Sequence, residues 1–298
     1  MQISLRIFWT PKRGNTSEEY EDAFWPPEPL DIDSRLLRFA VADGATETSF
    51  ARSWARILTR AYCRDQLSEK KIRKHLPQLE QQWHSSIGKT SLPWYAEEKL
   101  SHGAFATLLG LTVLDGGWQS TAIGDSCLFQ IRDGRLVTAF PMTSSGDFNN
   151  RPTLLSSNKK NWNEEIARVS RVHGVWQPND TFYMMTDAIA CWFLREVEEG
   201  SSELAPEARQ NVAPAVRPGL SEGCDLSPVG AKESAREIFR PYGALSSRLY
   251  QPRPDGRGYG LSALRALSNQ SAFTTWVESL RDEGMRNDDV TLLRITVQ

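Results

Sequence analysis

The distribution of apolar residues predicts two strands and one helix near the N-terminus. Ile3–Trp9 and Leu36–Ala42 are apolar runs of strand length, separated by a polar, Pro-bearing stretch that holds an acidic pair at 21–22. Between residues 50 and 64, apolar side chains recur at helical spacing after a start that contains Thr and Ser. The sequence therefore predicts a helix soon after the second strand.

The middle of the chain changes from helical to strand periodicity. Residues 67–101 have helical character, with Leu76, Leu79 and Trp83 as the inner face. Strand candidates follow, and Asp-Gly turns separate them at two points. We expect an antiparallel meander here rather than alternating β-α-β units. The candidates are Phe105–Leu114, Trp118–Ile123, Cys127–Arg132 and Leu136–Phe140.

The remainder of the chain alternates between regular patterns and one irregular segment. Residues 200–262 are rich in Ser, Pro, Gly and Arg and only weakly periodic, which predicts a loop-rich insertion. Helices around antiparallel strands favour a layered α+β fold. Outside this insertion, the pattern predicts strands at Ala167–Val175, Thr181–Thr186 and Val290–Val297, and helices at 188–199 and Ser271–Arg281.

Composition restricts the classes of partner. The 298 residues carry 35 basic and 37 acidic side chains, so the near balance argues against nucleic acid or a membrane surface as a partner. No run approaches the roughly 20 apolar residues of a membrane span. The first residues lack the long apolar region of a signal peptide, and the cysteines form no CxxC pair. We therefore expect a reducing, cytoplasmic location.

Short acidic motifs at the ends of the apolar runs suggest a metal site. A lone Asp-Gly is ordinarily a turn, and Asp187 alone could cap the helix that follows it. Aspartates at several strand ends can nevertheless converge when the strands share a sheet, and hard divalent cations need several oxygen ligands. The motifs are Glu21-Asp22-Ala23, Val41-Ala42-Asp43-Gly44, Met185-Thr186-Asp187-Ala188 and Asn287-Asp288-Asp289-Val290-Thr291.

In their order along the chain, these motifs resemble those of the metal-dependent type 2C serine/threonine protein phosphatase family, in its bacterial type. Gly103-Ala104-Phe105-Ala106-Thr107 and Ile123-Gly124-Asp125-Ser126 are similar to two further motifs of that family. The resemblance covers roughly residues 12–199 and 268–298. It implies a single phosphatase-like domain over residues 1–298, folded as an α-β-β-α sandwich of two antiparallel sheets flanked by helices.

The resemblance also implies catalytic roles for three aspartates. Asp43 would bridge two metal ions, and the main-chain carbonyl of Gly44 would add a ligand, since a glycine lets the backbone approach closely. Asp187 and Asp288 would bind one of the ions.

The remaining acids complete the implied metal site. Glu21 or Asp22 would serve the other ion, directly or through water. Asp125 would be an outer acid or a ligand of a weaker third ion. Two or three Mg²⁺ or Mn²⁺ ions fit such oxygen ligands, whereas zinc is disfavoured because no His or Cys accompanies them.

The chain departs from the family at the position of the usual proton donor. Many members carry a histidine directly after the Asp-Gly, but this chain has Ala45. Thr46 and Glu47 are nearby polar candidates for that role, although Thr46 is equally suited to cap a helix. His102 and His173 are further candidates, but a lone histidine is more often structural or exposed.

A second departure concerns the phosphate-binding arginine that members tend to have before the acidic pair. Thr16 and Ser17 occupy that location here, and Lys12 and Arg13 lie further upstream. Arg13 could bind phosphate with a bidentate fork and Lys12 as a point charge, while solvated surface charge is the alternative for both.

These features predict metal-dependent hydrolysis of phosphoserine and phosphothreonine in proteins by a metal-activated water. Phosphorylated proteins and a cognate serine/threonine kinase would be the partners. The alternative is a catalytically weak or inactive phosphatase-fold module that binds phosphoproteins or a kinase, which Ala45 and the missing arginine favour. Another metal-dependent phosphoesterase is a third possibility, but it would have to explain Asp288-Asp289-Val290-Thr291.

Overall fold

The computed structural model consists mainly of antiparallel strands and the helices that cover them. The described residues are 1–45, 50–68, 71–87, 103–149, 151–202 and 259–298. The strands are β1 (Gln2–Thr10), β2 (Ala23–Trp25), β3 (Leu30–Asp33), β4 (Leu36–Ala42), β5 (Phe105–Ala106), β6 (Leu108–Leu114), β7 (Gly117–Ile123), β8 (Cys127–Arg132), β9 (Arg135–Phe140), β10 (Leu155–Ser156), β11 (Ser170–Gly174), β12 (Thr181–Met185) and β13 (Val290–Val297). The α-helices are α1 (Ala51–Cys63), α2 (Ile72–Ser86), α3 (Trp162–Ala167), α4 (Asp187–Ser202), α5 (Tyr259–Ala266) and α6 (Gln270–Asp282).

Two sheets contain most of the strands. The first has the order β3-β1-β13-β12-β8-β9 and the second the order β11-β7-β6-β4-β2. Neighbouring strands within both sheets pair antiparallel, as β1 does with β13 and β4 with β6. The short strands β5 and β10 form a separate pair, and an isolated bridge joins Gly44 to Ala106 at its edge.

An apolar layer between the two sheets forms the centre of the fold. Leu5 and Ile295 from the first sheet pack with Phe39 and Leu111 from the second. All four side chains are fully buried. Because successive side chains of a strand point to opposite faces, each central strand also has residues for an outer layer. Full burial of an aliphatic or aromatic side chain of this size contributes about 1.5–3 kcal/mol.

Helices cover both outer faces. The helices α4, α5 and α6 pack on the first sheet, where Phe193 and Phe273 are buried. The helices α1 and α2 pack on the second sheet through residues that include Trp54 and Trp83. A Cβ at Gly110 of β6 would lie 2.2 Å from the ring of Tyr62, so a glycine is needed for α1 to pack this closely on the sheet. The α-β-β-α prediction is thereby confirmed.

The predicted meander of four strands is wrong. The hairpin β6-β7 belongs to the second sheet, whereas β8 and β9 belong to the first. The chain crosses between the sheets at Gly124-Asp125-Ser126, because β8 pairs with β12 rather than with β7. Local periodicity predicts that these segments are strands but does not reveal which sheet each one joins.

Other boundaries differ more modestly. Helix α4 extends to Ser202 and α5 begins at Tyr259, so both ends of the predicted insertion at 200–262 are helical. Residues 203–258 lie outside the described part of the chain. The strand predicted from Ala167 begins at Ser170, because residues up to Ala167 form the short helix α3. Within the described ranges, no helix combines the length and apolar character that a membrane crossing requires.

A buried glutamate on α3 predicts one pH dependence of the fold. Glu165 is 8% exposed and accepts a hydrogen bond from the Ser156 backbone N–H at 2.9 Å. Burial raises its pKa from 4.5 to about 7, although the Ser156 hydrogen bond opposes the rise. The folded state therefore binds the proton more tightly than the unfolded state. The contribution of Glu165 to the free energy of unfolding is therefore fully present below pH 4.5 and is lost as the pH rises through about 7.

We expect the Glu165→Gln protein to lose less stability than the wild type between pH 4.5 and pH 7.5, because glutamine can accept the same hydrogen bond without ionising. Urea unfolding at a series of pH values measures the difference. Glu28→Gln, which changes an exposed carboxylate between β2 and β3, is the control and should follow the wild type. Parallel pH curves for the Glu165→Gln and wild-type proteins would contradict the prediction.

Candidate metal centre

Five aspartates converge at one end of the sandwich, and we call them the aspartate cluster. Two of them flank strands of the second sheet, two flank strands of the first sheet, and one lies where the chain crosses between the sheets. They interact electrostatically: desolvation raises the pKa of Asp43 well above its ordinary value, and the other four carboxylates raise it further. The cluster consists of Asp22, Asp43, Asp125, Asp187 and Asp288.

Thr107 holds the backbone of Asp43. The Asp43 N–H donates to the Thr107 hydroxyl at 2.8 Å, and the Thr107 N–H donates to the Asp43 carbonyl at 2.9 Å. The same hydroxyl is 2.9 Å from Oγ of Ser126. A Cβ at Gly124 would lie 2.6 Å from the Thr107 side chain, so the crossing segment fits only with a glycine there. Two of the predicted motifs are thus in direct contact beside Asp43.

Gly44 allows the N-terminal acidic segment to approach β4. A Cβ at this position would lie 2.7 Å from the carbonyl oxygen of Glu21 and 3.2 Å from Ala51. Either contact requires the backbone to shift. The missing side chain is therefore what lets Glu21 and Asp22 lie beside the end of β4.

Asp22 has one satisfied and one unsatisfied oxygen. It is 2% exposed, and its Oδ2 accepts a hydrogen bond from the Thr291 hydroxyl at 2.6 Å. The Tyr20 hydroxyl contacts the same Thr291 oxygen. Oδ1 is buried and has no hydrogen-bond partner among the described residues. Burial raises the pKa of Asp22 well above its ordinary value, and the charge of Asp289 adds to the effect. A cation at Oδ1 would relieve both conditions.

Asp289 fastens the N-terminal segment to the last strand, a role that the sequence analysis missed. Its two oxygens accept hydrogen bonds from the backbone N–H groups of Lys12, at 2.8 Å, and Glu21, at 2.6 Å. The acid next to Asp288 in the motif was the available signal. Asp289 therefore positions the segment that carries the predicted ligands Glu21 and Asp22.

Arg286 bridges two aspartates of the cluster and was also missed. Its guanidinium lies 2.6 Å from Oδ2 of Asp187 and 2.5 Å from Oδ2 of Asp288. The arginine side chain is 60% exposed, whereas those of Asp187 and Asp288 are 8% and 18% exposed. Burial raises the pKa of Asp187, and Arg286 opposes that rise. These two carboxylates thus share one positive charge in the structure.

A cleft of about 260 Å³ opens beside this part of the cluster. Asp125 and Arg286 line it together with Trp192 and Arg195. Asp125 is 4% exposed, and burial raises its pKa to about 7, with a further contribution from the charge of Asp187. Solvent therefore reaches the acids through this cleft, where their negative charges lie close together and repel one another.

The two candidate phosphate-binding residues, Lys12 and Arg13, already make contacts within the protein. Arg13 donates to Oε2 of Glu278 at 2.5 Å and to Oδ1 of Asp282 at 2.8 Å, and these bonds raise its pKa. A phosphate would have to compete with both carboxylates. Lys12 contacts the site through its backbone N–H to Asp289. A phosphate-binding role for either side chain stays a prediction.

The candidate proton donors receive little support. His173 is exposed on β11, at the edge of the second sheet, where it pairs with Gln119 of β7. Thr46, Glu47 and His102 lie outside the described residues.

The carboxylate oxygens of the aspartate cluster are suitable ligands for a hard divalent cation. In the described part of the chain, no group of three His, Cys, Asp or Glu side chains is arranged to hold a metal ion by itself. Mg²⁺ typically keeps several waters and takes only one or two carboxylates from the protein, so a complete protein cage is not required. Two features suit such an ion. Asp22 has an unsatisfied Oδ1, and Asp187 and Asp288 already share one positive charge, that of Arg286.

Comparison with known proteins gives one family and a set of similar folds. The family model described as protein phosphatase 2C matches residues 21–221. The search of curated proteins found no match.

Solved phosphatase structures are similar to the whole chain. The Mycobacterium tuberculosis serine/threonine phosphatase PstP/Ppp is 12% identical, with a TM-score of 0.51 and coverage of 100% of both chains. The catalytic domain of PstP in complex with two manganese ions is 13% identical, with a TM-score of 0.49 and coverage of 99% of this chain and 100% of that one. PppA, described as a key regulatory component of T6SS in Pseudomonas aeruginosa, is 13% identical, with a TM-score of 0.48 and coverage of 100% of this chain and 99% of that one.

At 12% identity, the likeness to PstP/Ppp is evidence for the fold alone. The family match is stronger evidence, because it spans more than half of the 298 residues and includes four of the five aspartates of the cluster. Together with the two facing sheets and their flanking helices, this match shows that the chain belongs to the protein phosphatase 2C family.

Proposed function

We propose that this protein removes phosphate from phosphoserine and phosphothreonine in other proteins, with two or three Mg²⁺ or Mn²⁺ ions as cofactors. The aspartate cluster is the observation that carries the proposal. Burial and the charges of neighbouring carboxylates raise the pKa values of Asp22, Asp43 and Asp125. Folding such groups together is unfavourable unless cations neutralise them.

In the proposed site, the acids of both sheets hold the ions. Asp43 would contact two ions, as the family resemblance implies, and the charges of the other four cluster acids all act on its carboxylate. Asp187 and Asp288 would bind one ion, and Asp22 would bind the other through its unsatisfied Oδ1. Glu21 and the carbonyl of Gly44 are further candidate ligands. Asp125 would hold a weaker third ion or orient water beside the cluster.

Bound divalent ions supply a water of lowered pKa and neutralise charge on the phosphoryl group. The chain's own residues prepare the surroundings for that chemistry. Thr107 and Thr291 fix the positions of Asp43 and Asp22 through hydrogen bonds, so the acids do not have to reorganise during reaction. The adjoining cleft admits the substrate beside Asp125 and Asp187.

The proposed substrates are phosphorylated proteins, and a serine/threonine kinase that acts on the same targets is a proposed further partner. The proposed location is the cytoplasm.

A second candidate function is phosphoprotein or kinase binding without turnover. Two observations favour it. Ala45 occupies the position of the usual proton donor, and Arg13 is paired with Glu278 and Asp282. Such a module would bind Mn²⁺ or a phosphopeptide without releasing phosphate from it.

We expect hydrolysis of p-nitrophenyl phosphate and of a phosphothreonine peptide to require Mn²⁺ or Mg²⁺ and to stop with EDTA. Asp43→Asn and Asp187→Asn should each lower kcat/KM by about 100-fold, because several kcal/mol of charge stabilisation by the ions is lost. Steady-state kinetics measures this loss.

Asp115→Asn is the control, since Asp115 is exposed in the turn at the opposite end of β7 from Asp125. Full activity in both cluster variants would refute the proposal, and metal binding without turnover would support the second candidate.

Arg286 gives a prediction that does not depend on turnover. If its guanidinium lies where an ion binds between Asp187 and Asp288, then Arg286→Gln should tighten Mn²⁺ binding by about tenfold, because a competing positive charge is removed. The metal-free variant should also melt at a lower temperature, since the two acids lose their partner. Calorimetry with Mn²⁺ and thermal unfolding with and without the ion measure these changes. Unchanged or weaker Mn²⁺ affinity would contradict the competition.

A further inference from the structure

A second cleft, of about 330 Å³, lies beside the aspartate cluster and has a different chemistry. Three arginines of α1 line one side of it, and Tyr20 and Trp25 lie on the other. Asp22 also lines this cleft, which therefore adjoins the candidate metal centre. We call it the arginine cleft. Its arginines are Arg52, Arg56 and Arg60.

The spacing of the arginines concentrates positive charge on one face of α1. Residues four positions apart are neighbours on a helix surface, and like charges at this spacing destabilise the helix. Desolvation lowers the pKa of Arg56, and the charges of Arg52 and Arg60 lower it further. The folded protein thus tolerates an electrostatic repulsion that an anion in the cleft would relieve.

Within the described part of the chain, none of these three arginines forms an ion pair, although Asp22 lines the same cleft. The ion pairs found there involve other arginines, such as Arg38, Arg132 and Arg286. Arg52 donates to the carbonyl of Glu18 at 2.8 Å, and its buried Nε has no hydrogen-bond partner among the described residues. Arg56 and Arg60 are exposed, so a ligand in the cleft can reach their guanidinium groups.

The aromatic side chains orient the guanidinium groups. Arg60 lies 5.1 Å from the centre of the Trp25 ring, and Arg52 lies 6.0 Å from that of Tyr20. Such cation–π contacts hold a guanidinium plane while leaving its N–H edge free to bind carboxylate or phosphate. The cleft thus combines oriented donors with apolar surface that suits a peptide.

We propose that the arginine cleft binds an anionic side chain of the substrate, a carboxylate or a second phosphate, that lies within a few residues of the phosphate being removed. The inference deepens the proposed function, on which it rests, by assigning acidic phosphopeptides as the substrate class. Its physical basis is proximity: because Asp22 lines the arginine cleft and belongs to the aspartate cluster, one extended peptide reaches both sites.

The test uses the full chain and four phosphothreonine peptides that differ at one flanking position: glutamate, a second phosphothreonine, glutamine or lysine. The Arg56→Gln/Arg60→Gln protein removes two exposed charges of the cleft. It should fold, since glutamine is a good helix former and the repulsion on α1 falls. Arg35→Gln/Arg135→Gln removes two exposed arginines, one at the far end of β4 from Asp43 and one at the far end of β8 from Asp125, and controls for net charge.

We expect the Arg56→Gln/Arg60→Gln change to raise KM for the glutamate and double-phosphothreonine peptides by about tenfold, with kcat unchanged. KM for the glutamine peptide and for p-nitrophenyl phosphate should not change. A larger effect on the doubly phosphorylated peptide would identify phosphate as the preferred anion, and equal effects would identify any acidic group. Equal KM values of the wild type for the glutamate and glutamine peptides would overturn the proposal, as would a uniform loss for all substrates.

Fluorescence anisotropy of the same labelled peptides in EDTA separates this proposal from the proposed function. If no peptide is hydrolysed but the wild type binds the acidic peptides about tenfold more tightly than the Arg56→Gln/Arg60→Gln protein does, the arginine cleft is confirmed and the phosphatase activity fails. If the peptides are hydrolysed with no preference for acidic neighbours in either assay, the cleft proposal alone fails.

Discussion

Electrostatic repulsion among five aspartates brought together at one end of the sandwich is the constraint on which the rest of this structure depends. The acids cannot separate, because each follows or precedes a strand that is fixed in the sandwich. The surrounding contacts restrain or offset them individually: Thr107 holds the backbone of Asp43, Thr291 binds one oxygen of Asp22, and Arg286 supplies one positive charge to the two carboxylates of Asp187 and Asp288. What remains is a local excess of negative charge, and a divalent cation is the simplest species that removes it.

The acidic positions and the layered fold were predictable because they leave local signals. Aspartates that end apolar runs have few alternative locations once the runs pair in sheets, and the 2.0 and 3.6 residue periods separate strands from helices. The sheet to which β8 belongs was not predictable, since its apolar alternation suits either sheet and only its pairing with β12 decides. The same limit applies to Arg13 and Arg286. A charged residue in the sequence does not reveal whether its partner is a ligand or a distant carboxylate of the same chain, and here the structure provides carboxylates for both.

The two clefts beside the cluster have opposite characters. One is lined by Asp125 and Arg286 and opens onto the acids, whereas the other presents a row of arginines. In the proposed function, a phosphate group that approaches the cluster would meet carboxylates, so its binding would depend on cations there. An anion in the arginine cleft would meet the positive charge of the protein instead. Recognition and chemistry would then depend on different charges, and substrate selection could change through α1 without alteration of the acids proposed to hold the ions.

The crossing at Gly124–Ser126 has a mechanical consequence. Asp43 follows a strand of the second sheet and Asp187 follows a strand of the first, so the relative position of these two acids depends on the apolar packing between the layers. A small slide of one layer over the other would change the separation of the two carboxylates. Because Mg²⁺ demands a nearly ideal octahedron, a substitution in this apolar layer, far from any acid, would alter the cation preference of the proposed site.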